Sequence, residues 1–179
     1  MKPDSWKRLH AQLARCCEAL FRANALEVVE AGPVEHVGPY AQSIVSVIGF
    51  SGEQLSGSLA LLLPPSVVER SHPLRETGPL DAAARHDWAG EVGNQLLGRL
   101  KNRLLSYGIV LQMATPMTFS GREVFGAGER HEGFVCLRFR AGDDAFDVVF
   151  DGAAQVDIAL DADKEQPGAD VEESTILMF

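Results

Sequence analysis

The chain has 179 residues and a net charge of −9 at neutral pH, enough length for one domain with a sizeable apolar core. It lacks the basic stripe that nucleic acid requires, and its acidic balance disfavours an anionic membrane surface. The longest apolar stretch, residues 59–63, is far short of a membrane span, and no apolar leader marks the N-terminus, so a folded cytoplasmic domain is expected. Residues 5–23 place Trp6, Leu9, Leu13, Cys16 or Cys17, and Leu20 at helical spacing and predict an amphipathic helix capped by Asp4 or Ser5. A short strand is expected over 26–30, ended by Gly32-Pro33. Residues 40–50 alternate, with Ile44, Ser46 and Ile48 against Ser43, Val45 and Val47, and predict a strand. Ser51-Gly52-Glu53 turns it back into a second strand over 54–63. Pro64-Pro65 opens a short helix running to Arg70, and a loop rich in proline and glycine follows. Residues 81–107 predict a long helix stopped by Gly108. Strands are expected at 109–113, 117–119, 134–140, 146–150 and 156–160, with turns at Gly121, Gly126-Ala127-Gly128 and Gly142-Asp143-Asp144. This order describes an α+β domain: long helices packed on a mostly antiparallel β-sheet.

Composition shifts after residue 160, which sets a domain over 1–160 and a tail over 161–179. The tail holds six acids against one lysine, a net −5, and leaves −4 for the body. It is expected to be flexible, and its terminal Thr175-Ile176-Leu177-Met178-Phe179 reads as a frayed end or a docking peptide. Cys16 and Cys17 are adjacent and Cys136 is isolated, so neither a zinc spacing nor a disulfide framework exists, and buried reduced thiols are expected. The five histidines are scattered; His86, beside the long helix, reads as a surface residue rather than a metal ligand. Gly126-Ala127-Gly128 lacks the strand–loop–helix context of a phosphate cradle. No Ser/His/Asp or Cys/His set has the local context of a nucleophile.

The most informative segment is residues 87–100. At about 100° per residue, Asp87, Glu91, Asn94 and Gly98 share one narrow arc of a helix, and Trp88, Val92, Leu96, Leu100 and Leu104 fall on roughly the opposite side. An acid and an amide three residues apart are therefore held outward on a rigid element. Gly90, Gly93 and Gly98 each cost about 1 kcal/mol relative to alanine inside a helix. Gly90 and Gly93 lie beside or within the apolar arc and would admit close helix–sheet packing; Gly98, on the polar arc, leaves room for something to dock. Arg99 and Arg103 lie beside the apolar arc and are expected to snorkel over it. Lys101 lies nearer the polar arc, where a partner could reach it.

The pattern Asp-x-x-x-Glu-x-x-Asn, here Asp87, Glu91 and Asn94, resembles the signature of the CheC/CheX/FliY phosphatases of bacterial chemotaxis. The run Gly90-Glu91-Val92-Gly93-Asn94 followed by Gly98-Arg99-Leu100 is similar to CheX in particular, as is the presence of one such site rather than two. Val47-Ile48-Gly49-Phe50-Ser51-Gly52 with Gly57-Ser58-Leu59 and Pro64 resembles the CheX hairpin. Thr115-Pro116 and Ser120-Gly121-Arg122-Glu123 resemble the segment after its active-site helix. The likeness covers residues 26–150 and does not reach the tail.

The resemblance implies an aspartyl-phosphate phosphatase acting on a phosphorylated CheY-like response-regulator receiver. It implies no cofactor of its own, because Mg²⁺ and a lysine beside the phosphoryl group belong to the receiver. What such a receiver lacks is a positioned water. An asparagine can accept from and donate to one water at once, so Asn94 and Glu91 are the expected catalytic pair, Glu91 pairing with the receiver's lysine. Asp87, Gly98 and Lys101 are the expected partner-binding residues; Asp87 also suits the positive end of the helix dipole. A homodimer joined through sheet edges is expected on the same ground. The alternative is a non-catalytic receiver-binding or motility-switch adaptor of the same fold, such as FliM, which lacks the motif.

Overall fold

Periodic apolar residues wind the N-terminal segment into α1 (Pro3–Ala23), whose inner arc buries Leu9, Leu13, Cys17, Leu20 and Phe21 completely. The computed structural model describes residues 1–126, 131–156, 158 and 160. α1 ends in a Schellman cap. Ala25 takes a left-handed φ of 56°, its N–H donates to Arg22 O at 3.0 Å, and the Leu26 N–H donates to Phe21 O at 2.9 Å. The cap and the core use up Leu26 and Val28, both buried. The strand expected over 26–30 therefore starts later, as β1 (Val29–Pro33).

The strand expected at 40–50 is β3 (Ser43–Ser51), and a bend at residues 41–42 separates it from β2 (Val37–Tyr40), which shares only Tyr40 with that expectation. The hairpin partner of β3 is β4 (Leu55–Leu63), in unbroken register from Ile44↔Leu63 to Phe50↔Gly57. Two helices follow, α2 (Pro65–Ser71) and α3 (Ala82–Leu105). The rest of the described chain is β: β5 (Gln112–Met113), β6 (Met117–Gly121), β7 (Val124–Gly126), β8 (Phe134–Ala141) and β9 (Asp144–Ala154). The main sheet has seven strands in the order β1-β8-β9-β4-β3, with β5 and β6 in succession along the outer side of β3. Every pairing is antiparallel. The α+β architecture, with long helices on an antiparallel sheet, is the expected one.

Both long helices lie on one face of the sheet. One apolar core joins their inner arcs to Ile44, Ile48, Leu59, Leu61, Phe139, Val148 and Phe150. The residues between these along the strands point the other way. There Val45, Leu62 and Cys136 form a second, small core with Val37 of β2, which pairs with β7 as a separate two-stranded sheet. Asp147 is fully buried on this side. Arg138 Nε and Nη2 donate to its two oxygens at 2.8 and 2.9 Å, and the Gly38 N–H donates at 3.0 Å. The carboxylate is thus satisfied, as burial of a charge demands. It holds the Arg138 pKa above its ordinary value, while burial and then Asp147 raise that of Tyr40.

Other departures have local causes. Residues 109–113 form a ladder only at Gln112–Met113, since Ile109 and Leu111 turn into the core. Gly121 ends β6 rather than forming a turn of its own. The strand expected at 156–160 is absent among the described residues there; Ile158 and Leu160 are buried and the Leu160 N–H donates to Ser5 Oγ at 3.2 Å. Residues 127–128 of the expected glycine turn and the whole tail 161–179 lie outside the described residues. The three cysteines are buried and form no disulfide among the described residues, and burial raises the Cys136 thiol to about 12. Among the described residues, no helix is long and apolar enough to cross a membrane.

Three glycines of α3 differ in surroundings. A Cβ on Gly93 would stand 2.5 Å from Ser46 Oγ of β3, and one on Gly90 3.3 Å from Thr118 Cγ2 of β6; one on Gly98 would touch nothing within 4 Å. Gly98→Ala is therefore expected to stabilise the fold by about 0.5–1 kcal/mol. Gly93→Val, whose branches must push β3 away, is expected to cost about 1–3 kcal/mol. Urea denaturation midpoints check both signs.

His10 sits between Trp6 and Phe150, its Nε2 buried without a hydrogen-bond partner among the described residues. Burial lowers its pKa to about 4. Between that value and about 6.5, where an unfolded histidine titrates, the unfolded chain binds the extra proton. Stability from this group is present at neutral pH and is lost as pH falls through that window. His10→Leu is expected to shrink the drop in urea midpoint between pH 7 and pH 4 relative to wild type.

Candidate functional site

α3 starts at a side-chain cap, with Asp81 accepting from the Ala84 N–H at 2.8 Å. It is tied to α2 by two further contacts. Trp88 Nε1 donates to Ser71 Oγ at 3.0 Å, and Arg85 pairs with Glu69 at 3.2 Å. Trp88, Val92, Leu96, Leu100 and Leu104 are all buried. With that arc against the sheet, Asp87, Glu91 and Asn94 point outward and are exposed. Gly98, one turn on, and Lys101 are half-buried. Arg99 is half-buried too, and Arg103 Nη1 donates to Gln12 Oε1 of α1 at 3.3 Å, so both arginines lie over packing as expected.

The exposed side chains form a ridge between two grooves. The first, of about 310 Å³, is lined by Asp87, Glu91 and Asn94 on one side and by Pro116 and Thr118 at the sheet edge. His86 closes one end, its Nε2 2.6 Å from Ser120 Oγ. Pro116 falls in the break between β5 and β6, and Gly90 lets that edge come close to α3. The second groove, of about 530 Å³, lies between α3 and the α2–α3 connection. Asp87 and Glu91 line both. Gly98 and Lys101 line neither; Lys101 sits seven residues beyond Asn94, roughly 10 Å along the axis.

Two features were missed by sequence reasoning. Gln95 Nε2 donates to Glu91 Oε1 at 2.7 Å and holds the carboxylate on the ridge. The i,i+4 spacing was a readable signal for that bond. The sequence places His86 simply at the surface, whereas in the fold it braces the sheet edge through Ser120. The Asn94 amide has no hydrogen-bond partner among the described residues, so its donor and acceptor face solvent. An open ridge with a fixed acid and an unengaged amide suits contact with a macromolecular surface better than enclosure of a small substrate.

The sequence profile of the family Chemotaxis phosphatase CheX matches residues 44–140, more than half of the chain and including α3. A search among curated proteins finds no match. A chemotaxis protein of Desulfovibrio vulgaris Hildenborough superposes with a TM-score of 0.68 at 18% identity, over 82% of this chain and 97% of that one. CheX of Vibrio vulnificus gives 0.61 at 21% identity, over 81% and 93%. CheX of Borrelia burgdorferi, solved as a CheX–CheY–BeF3–Mg²⁺ complex, gives 0.53 at 15% identity, over 79% and 96%. At these identities the likeness is one of fold. The profile match carries the family: this chain belongs to the CheX family of chemotaxis phosphatases.

Proposed function

We propose that this CheX-family chain hydrolyses the aspartyl phosphate of a CheY-like response-regulator receiver, with Asn94 holding the attacking water and Glu91 fixing the docked partner. The supporting observation is that both side chains are exposed on one face of α3 and line one open groove. The CheX–CheY complex of the Borrelia relative supports the class of partner. In the reaction, a bond forms from water oxygen to phosphorus and the bond from phosphorus to the aspartyl oxygen breaks. Phosphate and a free carboxylate leave, with the water proton passing to solvent.

The Asn94 carbonyl oxygen accepts a hydrogen bond from the water and its amide nitrogen can donate one, which orients the water in line with the departing oxygen. It is no base, so its contribution is placement. The Glu91 carboxylate, oriented by Gln95, pairs with the receiver's lysine in a charge-assisted contact that sets the register. Asp87 adds charge at the rim, and the missing side chain of Gly98 leaves clearance one turn on; Lys101 touches the partner's periphery. The chain supplies no cofactor of its own, and Mg²⁺ belongs to the receiver's site. We also propose a homodimer joined through sheet edges, where β6 leaves Met117 64% and Phe119 43% exposed; a monomer mass by light scattering removes that part.

Dephosphorylation of a purified, phosphorylated receiver tests the reading. Asn94→Ala is expected to lower turnover at saturation by ~100-fold, the scale for one catalytic hydrogen-bonding group. Glu91→Ala is expected to lower turnover and raise the half-saturating receiver concentration. Asn94→Ala at wild-type rate overturns the water assignment, and tight receiver binding by a wild-type chain without turnover makes it an adaptor. Gln95→Leu frees the Glu91 carboxylate at a cost of about 1 kcal/mol of binding. Its half-saturating receiver concentration is expected to rise ~5-fold with saturated turnover near wild type.

A further inference from the structure

The second groove has no part in the mechanism above, yet the proposed catalytic carboxylate is one of its walls. Its floor is the Trp88 indole, and its outer wall is Leu74, Pro79 and Leu80 from the connection between α2 and α3. That wall is built by hydrogen bonds. The Leu74 N–H donates to His72 Nδ1 at 3.0 Å, and the Thr77 N–H and Oγ1 both donate to Leu74 O, at 2.9 and 2.7 Å. The His72 ring stands edge-on to Trp88 with centroids 5.3 Å apart. These contacts leave Leu74 57% exposed at the groove's lip. The charged residues lining the groove, Asp87 and Glu91, are both acids and both belong to the ridge.

We infer that this groove is a specificity pocket for the receiver, taking an aliphatic or aromatic side chain that the receiver carries beside the lysine seated on Glu91. The inference rests on the reading of Glu91 and Asn94 as the phosphatase site. Two observations choose this occupant. Because Glu91 and Asp87 line both concavities, a partner that places a cation on Glu91 also covers the mouth of the second groove. The acidic rim, moreover, favours an apolar group flanked by positive charge. It disfavours the chain's own 161–179 segment, which carries a net −5. Burying Leu74, Leu80 and the Trp88 edge under the receiver adds an apolar transfer to a contact otherwise made of charge and hydrogen bonds. Selectivity among receivers then follows from which of them bears an apolar group at that place, since the lysine and phosphoryl group are common to all.

The test uses the full chain and a purified CheY-like receiver phosphorylated with acetyl phosphate. Leu74→Ser is made alone, because Leu74 is exposed and its loss leaves the core intact, and then with Leu80→Ser. The half-saturating receiver concentration is expected to rise about tenfold in the single variant and further in the double, with turnover at saturation within about twofold of wild type. Leu74→Met, which keeps the apolar surface, is expected to behave as wild type. An unchanged half-saturating concentration in both serine variants, while Asn94→Ala still loses turnover, overturns the pocket and leaves the phosphatase reading standing. If Asn94→Ala is also silent, the underlying reading has failed. Loss of saturated turnover in Leu74→Ser with binding unchanged overturns the pocket as well, because a specificity contact acts on binding.

Discussion

The contact on which the site depends is the approach of α3 to β3 at Gly93 and Ser46. A Cβ at Gly93 would stand 2.5 Å from the serine hydroxyl, so any side chain there makes the serine or the helix shift. The close approach buries Trp88, Val92, Leu96, Leu100 and Leu104 together. Each fully buried side chain of this size is worth roughly 1.5–3 kcal/mol, and all five are lost if the helix rolls on its axis. A surface hydrogen bond such as Gln95 to Glu91 contributes on the order of 1 kcal/mol. The rotation of α3 is therefore decided by its apolar side. The outward aim of Glu91 and Asn94 is a consequence of what happens opposite them.

That division explains what was legible in the residues. Periodicity reports burial, so α1, α3, the β3–β4 hairpin and β8–β9 could be read within a few residues, and the polar arc of α3 followed from its apolar one. The family resemblance rested on that segment together with the hairpin at residues 47–64 and the stretch at 115–123, and the profile match spans all three. What failed to read was structure made by tertiary context. Gly38-Pro39 and Gly126 carry turn composition, yet β2 and β7 pair with each other over the far face of the sheet. Leu26 and Val28 looked like a strand but serve a helix cap and the core. The Arg138–Asp147 pair is nine residues apart in sequence and becomes adjacent only because the β8–β9 register sets the two opposite each other.

The walls of both grooves belong to this less legible class. Pro116 and Thr118 reach α3 because the outer side of β3 is shared by β5 and β6 with a break between them. Leu74 and Leu80 reach it because hydrogen bonds fold the α2–α3 connection back toward Trp88. Neither arrangement has a periodic signature. The sequence therefore exposes the ridge, while the relief around it, where we place partner selection, emerges only from the fold.

The openness of the ridge agrees with the chemistry proposed for it. A general base tuned to neutral pH needs burial or a charged neighbour to move its pKa, and a site of that kind has to be enclosed. An amide needs neither, since it orients a water without taking its proton. It can sit on a surface, unengaged until a partner arrives, provided the partner brings the charges that stabilise the departing phosphoryl group. On that proposal, an exposed Asn94 on a rigid helix, beside a carboxylate that accepts from Gln95, would set its rate through the fit of another protein. The residues around α3 then matter through the geometry they impose on that fit.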